Sequence, residues 1–333
     1  MAESSMRAIV IREPGPPDVL ELREVARPVP GRHEVRVRVA ASGVNRADLL
    51  ERRGRYGRAP AAGPSIPGLE YSGTIEALGA DVSDWDVGDR VMGLVGGGGY
   101  SEAVVVHGRE LMAIPRGVSL EEAAAIPEAW LTAWDAMVRQ AGLTGGESVL
   151  IHAVGSGVGS AASQLAAALG AHVIGTSRTP SKLDRSREVG VQRAILGGET
   201  DWASEVLRAT AGRGVDVIID LVGGPYLAGN VQCVAERGRI VVVGVPGGRE
   251  APLDLRALMG RRASITGTVL RARPIEEKIA LAQDGRSRLV PLFESAGLRP
   301  VVHRMFPPDA AAEAHEVMER NLNFGTISIV WTP

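Results

Sequence analysis

Three glycines, Gly155, Gly157 and Gly159, follow the apolar run Ser148 to Ala153 and precede an Ala- and Leu-rich segment, Ser160 to Leu169. Strand, glycine turn and helix come in that order, and the chemistry they suit is the holding of a pyrophosphate. Bare backbone N–H groups and the positive end of a helix dipole would face the anion, and a Cβ at the turn would keep the phosphates away. The turn also includes Ser156 and Val158. The strict pattern G-x-G-x-x-G is not met, because Ser160 stands three residues after Gly157. Such turns join strands to helices in many α/β proteins, so the glycines alone leave a nucleotide site and an ordinary turn equally open.

A second strand, His172 to Ser177, ends about 20 residues beyond the turn, where an NAD protein carries a ribose-binding Asp or Glu. Here that residue is Ser177, and Arg178 and Lys182 follow it. A 2′-phosphate would meet two cations and no repelling anion, which favours NADPH over NADH. Taken singly, Arg178 reads as a solvated loop residue and Lys182 as a helix-surface residue; paired at a strand tip, they read as a phosphate site.

The elements that must position these groups change character along the chain. In Glu34 to Val39 charged residues alternate with valines, the period-2 signature of a half-buried antiparallel strand. Pro14 to Pro17, Pro28 to Gly31, Pro64 to Gly68 and Gly96 to Gly99 punctuate this region as turns, giving a partly open barrel. The tetraglycine before Tyr100 reads first as a hairpin turn and second as a mobile lip. From about Glu121 strands alternate with helices: Ser148 to Ala153, His172 to Ser177, Arg193 to Leu196, Val215 to Leu221 and Arg239 to Gly244, with a sixth strand at Ala263 to Val269. That alternation predicts a parallel, doubly wound sheet. A strand near Val301 to Phe306 and a last one at Thr326 to Thr332 return to complete the first domain. The expected division is 1–126, 127–267 and 268–333, the middle part being the inserted nucleotide domain.

Composition narrows the function classes. The chain has 333 residues, a net charge of −2 and no block of like charges, which argues against nucleic acid and against a polybasic membrane anchor. No apolar stretch has the length of a membrane span and Met1 to Met6 carries no signal-peptide core, so the expected location is cytoplasmic. The single cysteine, Cys233, reads as a buried core thiol. Asp216 and Asp220 bracket VDVIID and read as solvated strand ends.

The motifs GVNRADLLERRGRY at Gly43 to Tyr56, IPGLEYSG at Ile66 to Gly73, AAAIPEAWLTAW at Ala123 to Trp134 and IHAVGSGVG at Ile151 to Gly159 resemble the medium-chain dehydrogenase/reductase superfamily over essentially the whole chain. Within it the chain resembles the zinc-free, zeta-crystallin-like quinone oxidoreductases, most closely the branch with the tumour-suppressor-induced quinone oxidoreductase. The resemblance implies an α/β protein: a GroES-like, partly open β-barrel catalytic domain, with a Rossmann sheet inserted between its two segments.

It also implies roles. Where zinc-dependent relatives place two Cys and a His, this chain has Asn45, Leu69 and the Pro127–Glu128 pair, and its six histidines show no HxxxH or HxH spacing, so no metal is expected. Asn45, Tyr56 and Thr132 are the expected catalytic residues. Asn45 would bond a substrate oxygen or the nicotinamide amide, Tyr56 would donate to the developing oxyanion and Thr132 would lie near the nicotinamide. Against these stand a turn asparagine, a tyrosine packed on the barrel mouth and a threonine bonded to its own helix. Glu70 reads as support for the site, with a cationic partner expected. Val222 and Gly223, Gly244 and Val245 lie past the fourth and fifth strands, on the ligand side of such a sheet. Leu270 and Arg271 match a family segment near the nicotinamide or substrate, and Asn323, also expected at the cofactor, falls in a motif resembling NxNxGK, with Thr326 in place of the lysine.

Hydride transfer without a Lewis acid suits an acceptor that delocalises charge, so the implied activity is NADPH-dependent reduction of a quinone. The alternatives are an enone or enoyl reductase of a biosynthetic pathway and, from another class, a redox-inactive NADPH-binding protein. The family implies a homodimer joined through the edge strand Ala263 to Val269.

Overall fold

The computed structural model describes residues 5–55, 65–198 and 200–331. The chain divides into two units, 1–131 with 271–333 and 132–270, each with its own core.

The first unit begins with the hairpin β1 (Ser5–Ile11) and β2 (Leu20–Ala26), followed by β3 (Glu34–Val44), α1 (Arg46–Arg52), β4 (Glu70–Leu78), β5 (Arg90–Leu94), β6 (Ala103–His107), β7 (Met112–Ala113), α2 (Leu120–Ala123) and α3 (Pro127–Trp134). The alternation in β3 does what the pattern predicts: Val35, Val37 and Val39 are buried while Arg36 turns outward to pair with Glu76. The strand then continues five residues past Val39. From Ala41 to Val44 both faces are covered, so alternation no longer marks it.

The second unit runs through β8 (Ser148–Ile151), α4 (Gly157–Ala168), β9 (His172–Ser177), α5 (Pro180–Ser186), β10 (Arg193–Leu196), α6 (Trp202–Ala209), β11 (Val215–Asp220), α7 (Leu227–Cys233), β12 (Val234–Val242), α8 (Leu255–Arg261) and β13 (Ser264–Gly267). Its six strands form one parallel sheet in the order β10-β9-β8-β11-β12-β13. The switch of direction beside β8 opens the crevice where such sheets take ligands. Val149, Leu150 and Ile151 are fully buried, as expected of a strand covered on both faces. Cys233 is a buried core thiol whose pKa desolvation pushes up to about 12.

The return segment adds α9 (Ile275–Asp284), α10 (Val290–Ser295), β14 (Val302–Phe306), α11 (Ala311–Glu319) and β15 (Thr326–Val330). β15 lies antiparallel to β3, completing a sheet ordered β14-β15-β3-β4-β5-β7, with β6 also on β3. This is the open, unclosed barrel of the first unit, and its core gathers Val37, Tyr71, Tyr100, Phe306, Ile327 and Ile329.

The tetraglycine is not a hairpin turn. It joins β5 to β6, which do not pair with each other, and its backbone binds the segment 66–68 instead, through Gly98 N to Ile66 O at 2.8 Å and Tyr100 N to Pro67 O at 2.9 Å. A Cβ on Gly99 would stand 2.9 Å from the carbonyl oxygen of Glu70, so glycine is needed for the close approach.

Candidate active site

In the second unit the chain leaves β8 through Ala153, which takes a left-handed φ of 51°, and enters α4 at Ser156. Ser156 Oγ accepts from Gly159 N at 3.0 Å and donates to Ala153 O at 2.8 Å, capping the helix. A Cβ on Gly159 would collide with the carbonyl oxygen of Ala153, so this glycine allows helix and strand to meet. At Gly155 a Cβ would stand 2.6 Å from Cδ of Lys182. The lysine stem thus lies along the glycine turn. Lys182 is only 8% exposed, not a solvated helix-surface residue, while Arg178 is exposed. Ser177 is buried at the end of β9 and its Oγ accepts from Thr179 N at 3.1 Å.

The loops past β11 and β12 join this end of the sheet. Asp220 is 1% exposed, which corrects the solvated reading: the strand ends under its own turn, and Oδ1 accepts from Val222 N at 2.8 Å and Gly223 N at 2.9 Å. Gly223 has a φ of 84°, and a Cβ there would stand 2.7 Å from Gly248 O. Gly244 N donates to Asp220 O at 3.3 Å, and Val245 beside it is exposed. Asp216, at the other end of β11, is tied to Arg213 and Ser148, and this partnership outweighs desolvation and holds its carboxyl down at about 2. Leu270 is buried at this unit's end, and Thr132 at its start is 7% exposed with an Oγ1 that has no hydrogen-bond partner among the described residues. The usual bond of a helical threonine to its own backbone is therefore missing.

In the first unit Asn45 opens α1. Its backbone N donates to Asp48 Oδ2 at 2.7 Å and its side-chain Nδ2 to Glu70 Oε1 at 2.7 Å. Glu70 is fully buried, and its other oxygen accepts from Glu128 N at 2.7 Å. Among the described residues no cation meets Glu70, contrary to expectation: desolvation outweighs two neutral donors, and the carboxyl rises from an ordinary 4.5 to about 8. Glu70 fits against β3 because Gly43 has no Cβ to meet Oε1. Desolvation likewise lifts Asp48 to about 7 and Glu128 to about 7, the latter opposed by Arg271. Tyr100 OH donates to Asp48 Oδ2 at 3.1 Å, while Arg271 pairs with Glu51 at 3.0 Å.

The cluster is therefore a set of buried acids whose burial favours their protonated forms, with Asn45 bonded to two of them. One hydrogen of the Asn45 amide is committed to Glu70 and its side chain closes a capping box with Asp48, leaving the second amide hydrogen for a ligand. Asn323, before β15, is 5% exposed; Nδ2 donates to Gly325 O at 2.7 Å, and Oδ1 has no partner among the described residues. Thr326, at the family's lysine position, is buried in β15. Tyr56 lies outside the described residues. Asp48 was not singled out from sequence, although the N-x-x-D spacing from Asn45 is a helix-start signature, and Glu128 and Tyr100 were named without a role in an acidic cluster.

In the second unit the orphaned Thr132 oxygen, a capped helix start and a glycine cradle fit a dinucleotide that brings its own donors. Among the described residues no three His, Cys, Asp or Glu are arranged to hold a metal ion.

Comparison with known proteins agrees with this arrangement. Residues 31–116 match the alcohol dehydrogenase GroES-like domain and residues 157–284 the zinc-binding dehydrogenase family. The chain is 33% identical over 313 residues to a quinone oxidoreductase of Homo sapiens, covering 93% of each. A Pseudomonas syringae pv. Tomato quinone oxidoreductase structure superposes with a TM-score of 0.88 at 31% identity, covering 98% of this chain and 100% of that one. A mycobacterial protein solved as a complex with NADPH superposes with a TM-score of 0.87 at 28% identity, with the same coverage.

Proposed function

The chain belongs to the medium-chain dehydrogenase/reductase superfamily, in its quinone oxidoreductase branch, and we propose that it is an NADPH-dependent, zinc-independent reductase whose acceptor is a quinone. It is an oxidoreductase that uses a nicotinamide cofactor and a small-molecule substrate. No helix among the described residues is long and apolar enough to cross a membrane.

One observation carries the reading of the acceptor. The three positions where zinc-dependent relatives place ligands hold Asn45, whose amide is committed to Glu70, Leu69, which is 2% exposed, and the Pro127–Glu128 pair. An amide, an alkyl group and one carboxyl do not fit a catalytic zinc, so no step is routed through a metal. What remains to meet developing charge is hydrogen bonding, and that suffices for an acceptor that spreads the charge over a conjugated ring.

Gly155 to Gly159 would take the pyrophosphate, Ser177, Arg178 and Lys182 the ribose and its 2′-phosphate, and Val222, Gly223, Gly244 and Val245 would border the nucleotide. Leu270, Arg271 and Asn323 complete the proposed cofactor set, and Thr132 remains a proposed catalytic residue. Bound NADPH supplies a hydride from C4 of its nicotinamide to the acceptor. Asn45 donates its second amide hydrogen to the acceptor oxygen, with Tyr56 as the second donor. Glu70, whose burial favours the protonated form, keeps Asn45 in place, and water delivers the proton that completes the reduced oxygen.

A homodimer is part of the reading. β13 is an edge strand of this unit's sheet, and Leu255 and Met259 on α8 and Val269 after β13 are exposed apolar side chains.

The test is turnover of NADPH against a panel of 1,2- and 1,4-quinones, simple enones and a saturated ketone. Quinones turned over best support the proposal; preference for enones replaces it with an enone or enoyl reductase. Cofactor binding with no turnover on any acceptor would return the protein to the redox-inactive class.

A further inference from the structure

Beneath the cofactor-side loops of the second unit runs a chain of buried side chains, of which only Asp220 enters the site described above. Thr176 Oγ1 lies 2.8 Å from His152 Nδ1, and His152 Nε2 lies 2.7 Å from Asn230 Oδ1. Asn230 Nδ2 donates to Asp220 Oδ2 at 2.8 Å, and Asp220 Oδ1 accepts from the backbone N–H groups of Val222 and Gly223. All four side chains are at most 1% exposed. They come from three strand ends: Thr176 near the end of β9, His152 just past β8 and Asp220 closing β11, with Asn230 on α7.

The direction of every bond follows from the last one. A carboxylate only accepts, so the amide nitrogen of Asn230 faces Asp220 and its oxygen faces the imidazole. An oxygen acceptor requires a proton on Nε2. Nδ1 is then the acceptor nitrogen, and the Thr176 hydroxyl must donate to it. Burial keeps the ring neutral by pushing its pKa down, against the pull of Asp220 and Asn230. The rings of Trp202 and Tyr226 stand edge-on to His152, their centroids 4.8 and 4.6 Å from its own, and shield the chain from water. Removing any link strands a buried donor or acceptor, which is why such networks act as a unit.

We propose that His152 is a positioning residue for the nucleotide cofactor, holding the Val222–Gly223 turn through Asn230 and Asp220 and coupling it through Thr176 to the strand tip that ends in Ser177. This rests on the reading that the second unit binds NADPH. The alternative is that the four residues only fill and stabilise the core. The two differ in what a subtle substitution does to binding as opposed to folding.

Thr176→Val keeps the shape and removes the donor to Nδ1; Thr176→Ser keeps the donor. Asn230→Asp keeps the shape and sets a carboxyl against Asp220. Three quantities separate the readings: the NADPH dissociation constant by fluorescence titration, the split between KM and kcat, and the ring 15N shifts of His152. We expect the wild-type ring to hold its proton on Nε2 without titrating between about pH 5 and 8. Thr176→Val should weaken NADPH binding by roughly tenfold and raise KM for NADPH with little change in kcat, while the ring keeps its proton on Nε2, where Asn230 Oδ1 still requires it. Asn230→Asp should do at least as much, and Thr176→Ser should behave as wild type.

Variants that melt earlier but bind NADPH within about twofold of wild type would overturn the proposal. A wild-type ring protonated on Nδ1, or one that titrates in that range, would overturn it without any variant, including a case where Thr176→Val does not fold. If the wild-type protein binds no nicotinamide nucleotide, the functional reading itself fails and takes this proposal with it.

Discussion

Replacing Lys182 by methionine removes an ammonium group while leaving an unbranched apolar stem over Gly155, so it isolates charge from packing. The lysine is 8% exposed and its stem lies against the glycine turn. Little rotamer freedom is left for a bound phosphate to freeze, and screening by salt is weak at such a site. A charge-assisted hydrogen bond in this setting contributes about 1.5 to 3 kcal/mol, or about 10- to 150-fold in Kd. Arg178 is exposed, so removing its charge should cost no more than about 1 kcal/mol. Titrating wild type, Lys182→Met and Arg178→Ala with NADPH and with NADH gives the comparison. Lys182→Met should lose most of its NADPH affinity and keep its NADH affinity, and Arg178→Ala should show the smaller loss. Equal losses for both cofactors in Lys182→Met, or no loss for either, would refute the assignment of the 2′-phosphate to this strand tip.

Three further outcomes follow from the same geometry. Gly159→Ala drives a methyl group into the carbonyl of Ala153 and should cost about 1 to 3 kcal/mol of stability, together with most of the cofactor binding, as read by thermal melting and titration. Glu70, Asp48 and Glu128 all bind protons more tightly when folded, with carboxyls raised to about 8, 7 and 7. Stability should therefore be greatest below pH 4.5 as far as these groups decide it, fall as pH rises and level off above about 8. Glu70→Gln should remove roughly 1.4 kcal/mol of that decline per pH unit, and a wild-type melting temperature that climbs steadily from pH 5 to about 8 would count against the cluster. Met259→Glu, at a residue 75% exposed on α8, should convert the expected dimer to a monomer in light scattering, and a monomeric wild type would dispose of the interface.

Much of the nucleotide-binding unit was legible because its signals are local. β9 and β10 run as the apolar pattern predicts, and β8 and β11 end within two residues of it. The glycine turn and the strand-tip cations are each contained in a few consecutive residues. What escaped depends on partners distant in sequence. Asn230 meets His152 across 78 residues, and Asn45 meets Glu70 across 25, so no periodicity announces either. Asp220 looked solvated because strand-end aspartates usually are; here the turn after β11 folds back over the carboxylate and supplies its donors. Glu70 was expected to need a cation, yet an amide and a backbone N–H hold it, and the cost shows as a raised pKa. The tetraglycine failed as a hairpin because β6 pairs with β3 rather than with β5, a matter of sheet order that turn chemistry does not encode.

The central claim is that hydride reaches a quinone without help from a metal. The most direct measurement is NADPH-dependent reduction of a 1,4-quinone by protein stripped with a strong chelator and shown by elemental analysis to be free of zinc. Turnover equal to that of untreated protein is the result the account predicts. Activity lost on stripping and restored by added zinc would contradict it.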